Sequence, residues 1–326
     1  MKRFETRRFA VMGWQALFGI SLLLTGAGAI AATAALLTPG PTITGGRIEP
    51  AINLQAPLNM RAPLQRRPEF TGYLAFMSPT AIGGRGSFLY VVDSGRQQIF
   101  RYDLVRQTML AFASYPATRV TGLFVAPDLS VYVADSGAQK VLHFSIDGKL
   151  LQSFGNAREL TRPAAVALDS NGQVLIADAL YNQVVVFNSL GLLLDILKPA
   201  GALSIAAMAR GPAGLYLADR IGHKIVVLGP DGQEHDSFGA DSLKDPAAIA
   251  VDHHGRVFVA DNFDRSIKVY TEGQLTASFG DSGGASVVFS RIGGLWLEQN
   301  TLYVSDSLNG RVQSFQVAAP EQIGPK

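Results

Sequence analysis

The sequence predicts an all-β chain wound into a ring of six four-stranded antiparallel blades, a six-bladed β-propeller, on three observations. First, a strand ending in Asp recurs as Val-Val-Asp93, Val-Ala-Asp135, Ile-Ala-Asp178, Leu-Ala-Asp219, Val-Ala-Asp261 and Val-Ser-Asp306, at intervals of 42, 43, 41, 42 and 45 residues by subtraction. That is the period of propeller blades built from four strands each. Second, an apolar β-branched residue stands six places after every one of these Asp residues: Ile99, Val141, Val184, Ile225, Ile267 and Val312. Third, a Phe closes the fourth strand as Phe112, Phe154, Phe238 and Phe279, three of them followed by Gly.

The clearest copy of the unit runs from Pro246 to Gly280. It reads as strands at Ala247–Val251, Val257–Ala260, Ile267–Tyr270 and Leu275–Phe279, rich in Val, Ile, Phe and Tyr, with turn residues His-Gly, Asp-Asn and Glu-Gly between them. A sheet this small exposes two apolar faces and cannot stand alone, so it needs copies of itself stacked against it. The sixth copy lacks a fourth strand, because only Ala-Ala-Pro-Glu-Gln-Ile-Gly-Pro-Lys follows Val317. An orphan strand, Thr71 to Met77, precedes the first copy. The expectation is that this N-terminal strand completes blade six and closes the ring, leaving no open edge between first and last blades.

The pattern P-x-x-[IV]-A-[VL]-D-x-x-G-x-[VL]-x-[VI]-A-D, in Pro163 to Asp178 and Pro246 to Asp261, resembles the NHL repeat of six-bladed β-propellers over roughly residues 70 to 317. Blade four departs locally, with Arg210-Gly-Pro-Ala-Gly214 in place of the first Asp-x-x-Gly turn, and blade three ends in Leu-Leu-Asp-Ile-Leu. The resemblance implies the fold. Its members include RNA-binding, protein-binding and enzymatic proteins, among them an amidating lyase, and similar propellers include lactonases, so the fold by itself selects no function.

Ahead of the repeats, residues 1–8 are basic, and Phe9 to Thr38 contains no charged residue. Such a run is expected to be an N-terminal hydrophobic helix that engages a membrane. Two versions stay open for residues 1–37: a cleaved signal peptide with small-residue cleavage points around Gly26 to Ala35, or a retained transmembrane anchor. With Lys2, Arg3, Arg7 and Arg8 before the span, both place the propeller outside the cytoplasm, in a periplasmic or extracellular space. Residues 38–68, with six prolines and Gly45-Gly46, are expected to be a Pro/Gly-rich linker. The propeller then spans 69–319, and 320–326 form a tail. With no Cys anywhere, disulfides, Cys-ligated zinc and covalent c-type haem are excluded.

The net charge is +2 over 326 residues. Residues 1–67 hold eight Lys or Arg against two Glu, so the propeller itself is net acidic. A nucleic-acid partner is therefore not expected. The innermost strands begin Thr80-Ala-Ile, Thr121-Gly-Leu, Ala164-Ala-Val, Ser204-Ile-Ala, Ala247-Ala-Ile and Ile292-Gly-Gly, and offer none of the carboxylates or imidazoles that a metal-dependent lyase or lactonase needs. No phosphate loop, nucleophile elbow or zinc-helix motif occurs. No catalytic residue, metal ligand or cofactor is assigned. His253-His254 and His235 are expected on the opposite face from His223, and the recurring Asp residues read as acceptors for backbone N–H groups in the loop that follows each.

One repeated feature points to function. The loops between second and third strands carry Arg96, Lys140, Lys224, Arg265 and Arg311, and Arg119, Arg162 and Arg291 stand just before innermost strands. These eight cations are expected on one face, making it basic on an otherwise acidic propeller. The function expected is an exported, non-catalytic module that binds a protein, peptide or acidic glycan there. The alternative is a metal-dependent lyase or hydrolase with its site at the channel mouth.

Overall fold

The computed structural model describes residues 36–48, 72–113, 115, 119–200, 204–280 and 287–319. The hydrophobic run of residues 1–35 and most of the Pro/Gly-rich stretch lie outside the described residues, and no helix among those described is long and apolar enough to cross a membrane.

Strands β1 (Leu37–Ile43), β2 (Gly45–Ile48) and β3 (Tyr73–Ala75) come first. Blade one follows as β4 (Pro79–Arg85), β5 (Phe88–Asp93), β6 (Gln98–Asp103) and β7 (Thr108–Ala111), and blade two as β8 (Val120–Val125), β9 (Val131–Asp135), β10 (Lys140–Phe144) and β11 (Leu150–Phe154). Blade three holds β12 (Pro163–Leu168), β13 (Val174–Asp178), β14 (Gln183–Phe187) and β15 (Leu193–Leu197); blade four holds β16 (Ile205–Gly211), β17 (Gly214–Asp219), β18 (Lys224–Leu228) and β19 (Glu234–Phe238). Blade five is β20 (Pro246–Val251), β21 (Val257–Asp261), β22 (Ser266–Thr271) and β23 (Gln274–Gly280), and blade six contributes β24 (Ile292–Glu298), β25 (Thr301–Asp306) and β26 (Arg311–Val317). Every blade is an antiparallel meander, with its first strand against those of its neighbours around the axis.

The ring is closed by an N-terminal strand, but by a different one from that expected. Blade six has the order β1-β26-β25-β24, so Leu37–Ile43 is its fourth strand. The strand at Tyr73–Ala75 pairs with β2 instead, and β2 lies parallel on β7, so that blade one extends to six strands. Residues 38–48, expected to be linker, are therefore part of the propeller. Two prolines are tolerated in β1 because it is an edge strand, where a missing N–H faces outward and breaks no ladder. A bulge between Pro39 and Thr42 takes up the irregularity. There the side chains of β26 replace lost backbone bonds: Gln313 Nε2 donates to the Gly40 carbonyl at 2.9 Å, and Ser314 Oγ to that of Pro41 at 2.8 Å.

Packing between blades supplies the core. Phe279, Phe289 and Phe315 meet edge-on between blades five and six, with Phe279 and Phe315 centroids 4.9 Å apart, and Leu37 is buried in the same cluster. Phe112 packs on Tyr90 at 4.9 Å and reaches Phe144 of blade two at 6.1 Å. Phe112, Phe154 and Phe279 are thus core residues. Phe76, from the orphan segment, is buried beside Ile43 and Val312 at the seam between blades six and one.

Strand direction gives the ring two dissimilar sides. First strands start, second strands end and third strands start on one of them, here the upper face. Turns between strands one and two and between strands three and four lie on the other, the lower face.

Candidate functional site

Each upper-face loop is held by its buried Asp. Asp178 accepts backbone N–H groups from Thr161 at 2.6 Å and Leu180 at 2.9 Å, and weaker ones from Arg162 and Tyr181. Asp93 does the same for Met77, Ser78 and Arg96; Asp261 for Lys244, Asp245 and Phe263; Asp306 for Ser290 and Arg291. Asp219 accepts from Ser204 and Gly222, and Asp135 from Gly137 and Ala138 and from the Tyr115 hydroxyl. One carboxylate per blade therefore ties the following loop, through backbone N–H groups in blades one to five as expected from sequence and through the Asn309 and Arg311 side chains in blade six, and also the chain ahead of the innermost strand.

A second regularity escapes the sequence. Four residues beyond each Asp the backbone is left-handed: Gln97, Gln139, Asn182, His223 and Arg265 have φ between 52° and 58°, and Gly310 has φ 60°. Only one of the six is Gly, the usual signature of that conformation, so composition hides the turn. His223 thereby occupies a repeated turn position.

The eight cations singled out by sequence all fall on the upper face. Arg119, Arg162 and Arg291 immediately precede β8, β12 and β24; Lys140, Lys224 and Arg311 open β10, β18 and β26; Arg96 and Arg265 lie in the β5–β6 and β21–β22 loops. They are not equally available. Arg311 Nη2 sits 3.1 Å from Asp306 Oδ2 and donates to the Val288 carbonyl at 2.9 Å. Arg96 Nε donates to the Ala75 carbonyl at 2.9 Å, Arg162 Nη2 reaches that of Ala179 at 3.2 Å, and Lys224 Nζ lies 3.9 Å from Glu234. Arg119, Arg291 and Lys140 are exposed, and their side chains form no hydrogen bond or ion pair with other described residues. Of the upper-face carboxylates, Asp245 is engaged by Arg220 at 2.8 Å, Asp264 by Lys268 at 2.7 Å and Glu159 by the Asn156 amide at 2.6 Å, while Asp241 is exposed. Acidic side chains such as Asp128, Asp147, Asp169, Asp231, Glu272 and Glu298 fall in the turns of the lower face.

The axis itself is nearly filled. A channel of about 80 Å³ is lined by small and apolar residues such as Ala81, Gly122, Ala165, Ala207, Ala248 and Gly294. A Cβ on Gly122 would come within 2.8 Å of the Ala164 carbonyl, and one on Gly293 within 2.7 Å of that of Thr80, so the inner strands sit as close as backbone allows. A larger open cleft, about 910 Å³, lies between blades five and six on the upper side, where Arg265, Arg311, Asn309, Ser290, Gln313 and Val288 face it.

Among the described residues no three His, Asp or Glu side chains gather as a metal-holding group. His253 and His254 lie with ring centroids 3.7 Å apart, tilted by 44°, in a lower-face turn. His235, expected in the turn before the fourth strand, lies within β19 itself, with Nε2 at 2.9 Å from Asp231. His143 in β10 stacks on Tyr132 at 4.1 Å, and burial holds its imidazole below the ordinary range despite nearby Asp128.

No protein-family model matches the chain, and no curated protein matches it in sequence. Solved structures do match in shape. A streptogramin B lyase superposes with a TM-score of 0.59 at 12% identity, over 74% of this chain and 94% of the lyase. A catalytically inactive virginiamycin B lyase from Staphylococcus aureus, solved with quinupristin, gives 0.60 at 11% identity, over 78% and 86% of the two chains. A structural-genomics protein of unknown function from Bacteroides thetaiotaomicron gives 0.61 at 13%, over 74% and 70%. At these identities the likeness carries the six-bladed fold and nothing finer.

Proposed function

We propose that this chain is an exported, non-catalytic propeller of NHL-repeat type whose basic upper face binds an acidic partner, a protein or peptide segment or a carboxylated glycan. The observation that carries this reading is the segregation of charge. Arg119 and Arg291, unpaired among the described residues, stand on the upper side, where the half-exposed Asp245 and Asp264 are already engaged and Asp241 is the exposed carboxylate, while acidic turns occupy the lower side. A guanidinium at the head of an innermost strand is held by a rigid backbone and can pair a carboxylate bidentately. Lysines farther out act as point charges that steer the approach.

The rival reading, a metal-dependent lyase or hydrolase, draws on the shape shared with lyases. It needs convergent ligands at the channel mouth, where this chain offers Ala, Gly and Thr. One stoichiometric divalent ion in protein purified without chelator would favour that class.

The test of the binding reading is to change Arg119, Arg162 and Arg291 to Ala and measure retention on a polyglutamate column across a salt gradient. The control changes Arg85, Arg106 and Arg210, which are exposed and lie toward the lower face. Arg256 is unsuitable as a control, being buried against Asp252 at 2.6 Å. The upper-face variant is expected to elute at markedly lower salt than the parent and the control to elute with the parent. Equal losses in both variants would dispose of a special face.

A further inference from the structure

The buried Asp of each blade also fixes what stands two residues beyond it. In blades one and two that residue is Gly95 or Gly137, and each is covered: a Cβ on Gly95 would lie 2.7 Å from Met77 Cβ, and one on Gly137 3.0 Å from Arg119 Cδ. In blades three to six the same position holds Leu180, Ile221, Phe263 and Leu308, which are 50%, 60%, 72% and 69% exposed. Single exposed apolar side chains are ordinary on a surface. Four at one structural position in four consecutive blades make an arc, and Tyr181 at 58% exposure widens it. Its base is stiff, because the loops of blades four, five and six bond across to the next blade: Arg220 to Asp245, the Asn262 amide to both N–H and C=O of Ile292, and Ser307 Oγ to the Pro79 carbonyl.

We propose that Leu180, Ile221, Phe263 and Leu308 form an apolar docking arc for an acidic protein segment that also carries apolar side chains. This rests on the basic-face reading and narrows its partner from any polyanion to an amphipathic polypeptide. Charge complementarity selects the occupant, since Arg162, Lys224 and Arg291 flank the arc and an apolar segment bearing carboxylates satisfies both features. The other occupants fit less well. A second copy meeting this face with its own would set cations against cations. The chain's own segment 49–71 is itself basic, through Arg61, Arg66 and Arg67. A membrane is argued against by Leu36, the first described residue, which lies on the opposite, lower side of the ring: its carbonyl accepts the Ala318 N–H, and the Ala318 carbonyl accepts Arg256 Nη1 at 2.7 Å from a lower-face turn.

The experiment compares two synthetic peptides of equal charge, one of Glu, Leu and Phe and one of Glu and Ser, by fluorescence anisotropy against the full chain in its native processed form. The unaltered protein is expected to bind the Glu-Leu-Phe peptide at least about tenfold tighter, since a few anchor side chains desolvated on binding carry most of the affinity of such interfaces. Joint substitution of Leu180→Ser, Ile221→Ser, Phe263→Ser and Leu308→Ser is expected to erase that preference and leave Glu-Ser binding unchanged. Phe263→Ser alone carries the same test with a single surface change. Equal affinity of the parent for both peptides, or a preference that survives the substitutions, overturns the arc. So does binding to phosphatidylglycerol vesicles that the substitutions abolish, which would make lipid the occupant, or a parental dimer that they dissociate. Absence of Glu-Ser binding by the parent overturns the basic-face reading instead.

Discussion

Asp261 shows how the repeated carboxylate is kept ionised in a buried place. Burial is the largest influence on it and pushes its pKa up, but Lys268 Nζ at 2.6 Å and the N–H groups of Asp245, Lys244 and Phe263 outweigh burial and hold it below the ordinary carboxylate value. A depressed folded-state pKa stabilises fully above the unfolded value of about 3.9, and that stabilisation is lost as pH falls through the folded value. Removing the ammonium with Lys268→Met strands a buried carboxylate, which costs about 3–5 kcal/mol at neutral pH. It also raises the pKa of Asp261, so the acid fall of Tm between pH 6 and 2 is expected to begin at higher pH in the variant. Coincident Tm profiles would show that backbone donors alone hold this charge. At this scale the sequence was legible where one residue type does one repeated job, as Asp does here. It was not legible at the left-handed position four residues on, where Gln, Asn, His, Arg and Gly all serve and no single letter marks the conformation.

At the scale of elements, the closing strand is the instructive case. Leu-Thr-Pro-Gly-Pro-Thr-Ile has two prolines and a glycine in seven residues, and by composition it is a linker. Its register on β26 nevertheless buries both ends, Leu37 at 2% exposure and Ile43 at 8%. An edge strand needs only one side of its backbone, so the rule that Pro breaks strands does not apply there. The strand favoured from sequence, around Tyr73, was better patterned but was claimed by β2, whose pairing with β7 no local periodicity announces. Two substitutions separate the assignments. Leu37→Ala should destabilise by about 2–5 kcal/mol, and Tyr73→Ala, at a position 62% exposed, by no more than about 0.5 kcal/mol. Guanidinium unfolding of the two variants checks this, and a larger loss at Tyr73 would return the seam to the orphan segment.

Across the whole molecule, ring number, blade period and inner-strand chemistry follow from the repeat, because every blade solves the same packing problem. That the eight cations share a face was legible for the same reason: loop residues at fixed offsets from a repeated Asp must lie on one side. The apolar arc was harder to see, since Leu180, Ile221, Phe263 and Leu308 read in a linear sequence as ordinary hydrophobic residues, and only their exposure distinguishes them. The cleft between blades five and six had no sequence signal, as it joins residues from β1, two loops and an interblade connection.

The stitch between Ala318 N–H and the Leu36 carbonyl, 2.9 Å long, means that the described propeller begins where it finishes. Its linear order is then one of several rotations of the same circle, and a gene could start elsewhere. A permuted chain joining residue 319 to residue 36 through a short Gly-Ser bridge, with new ends opened at Gly172, is expected to give the same circular dichroism and resistance to protease. Gly172 suits the cut because it sits in an exposed turn with open space around it. A permutant that stays unfolded would show that the native order matters for assembly: the ring would have to be latched last by the strand that is synthesised first.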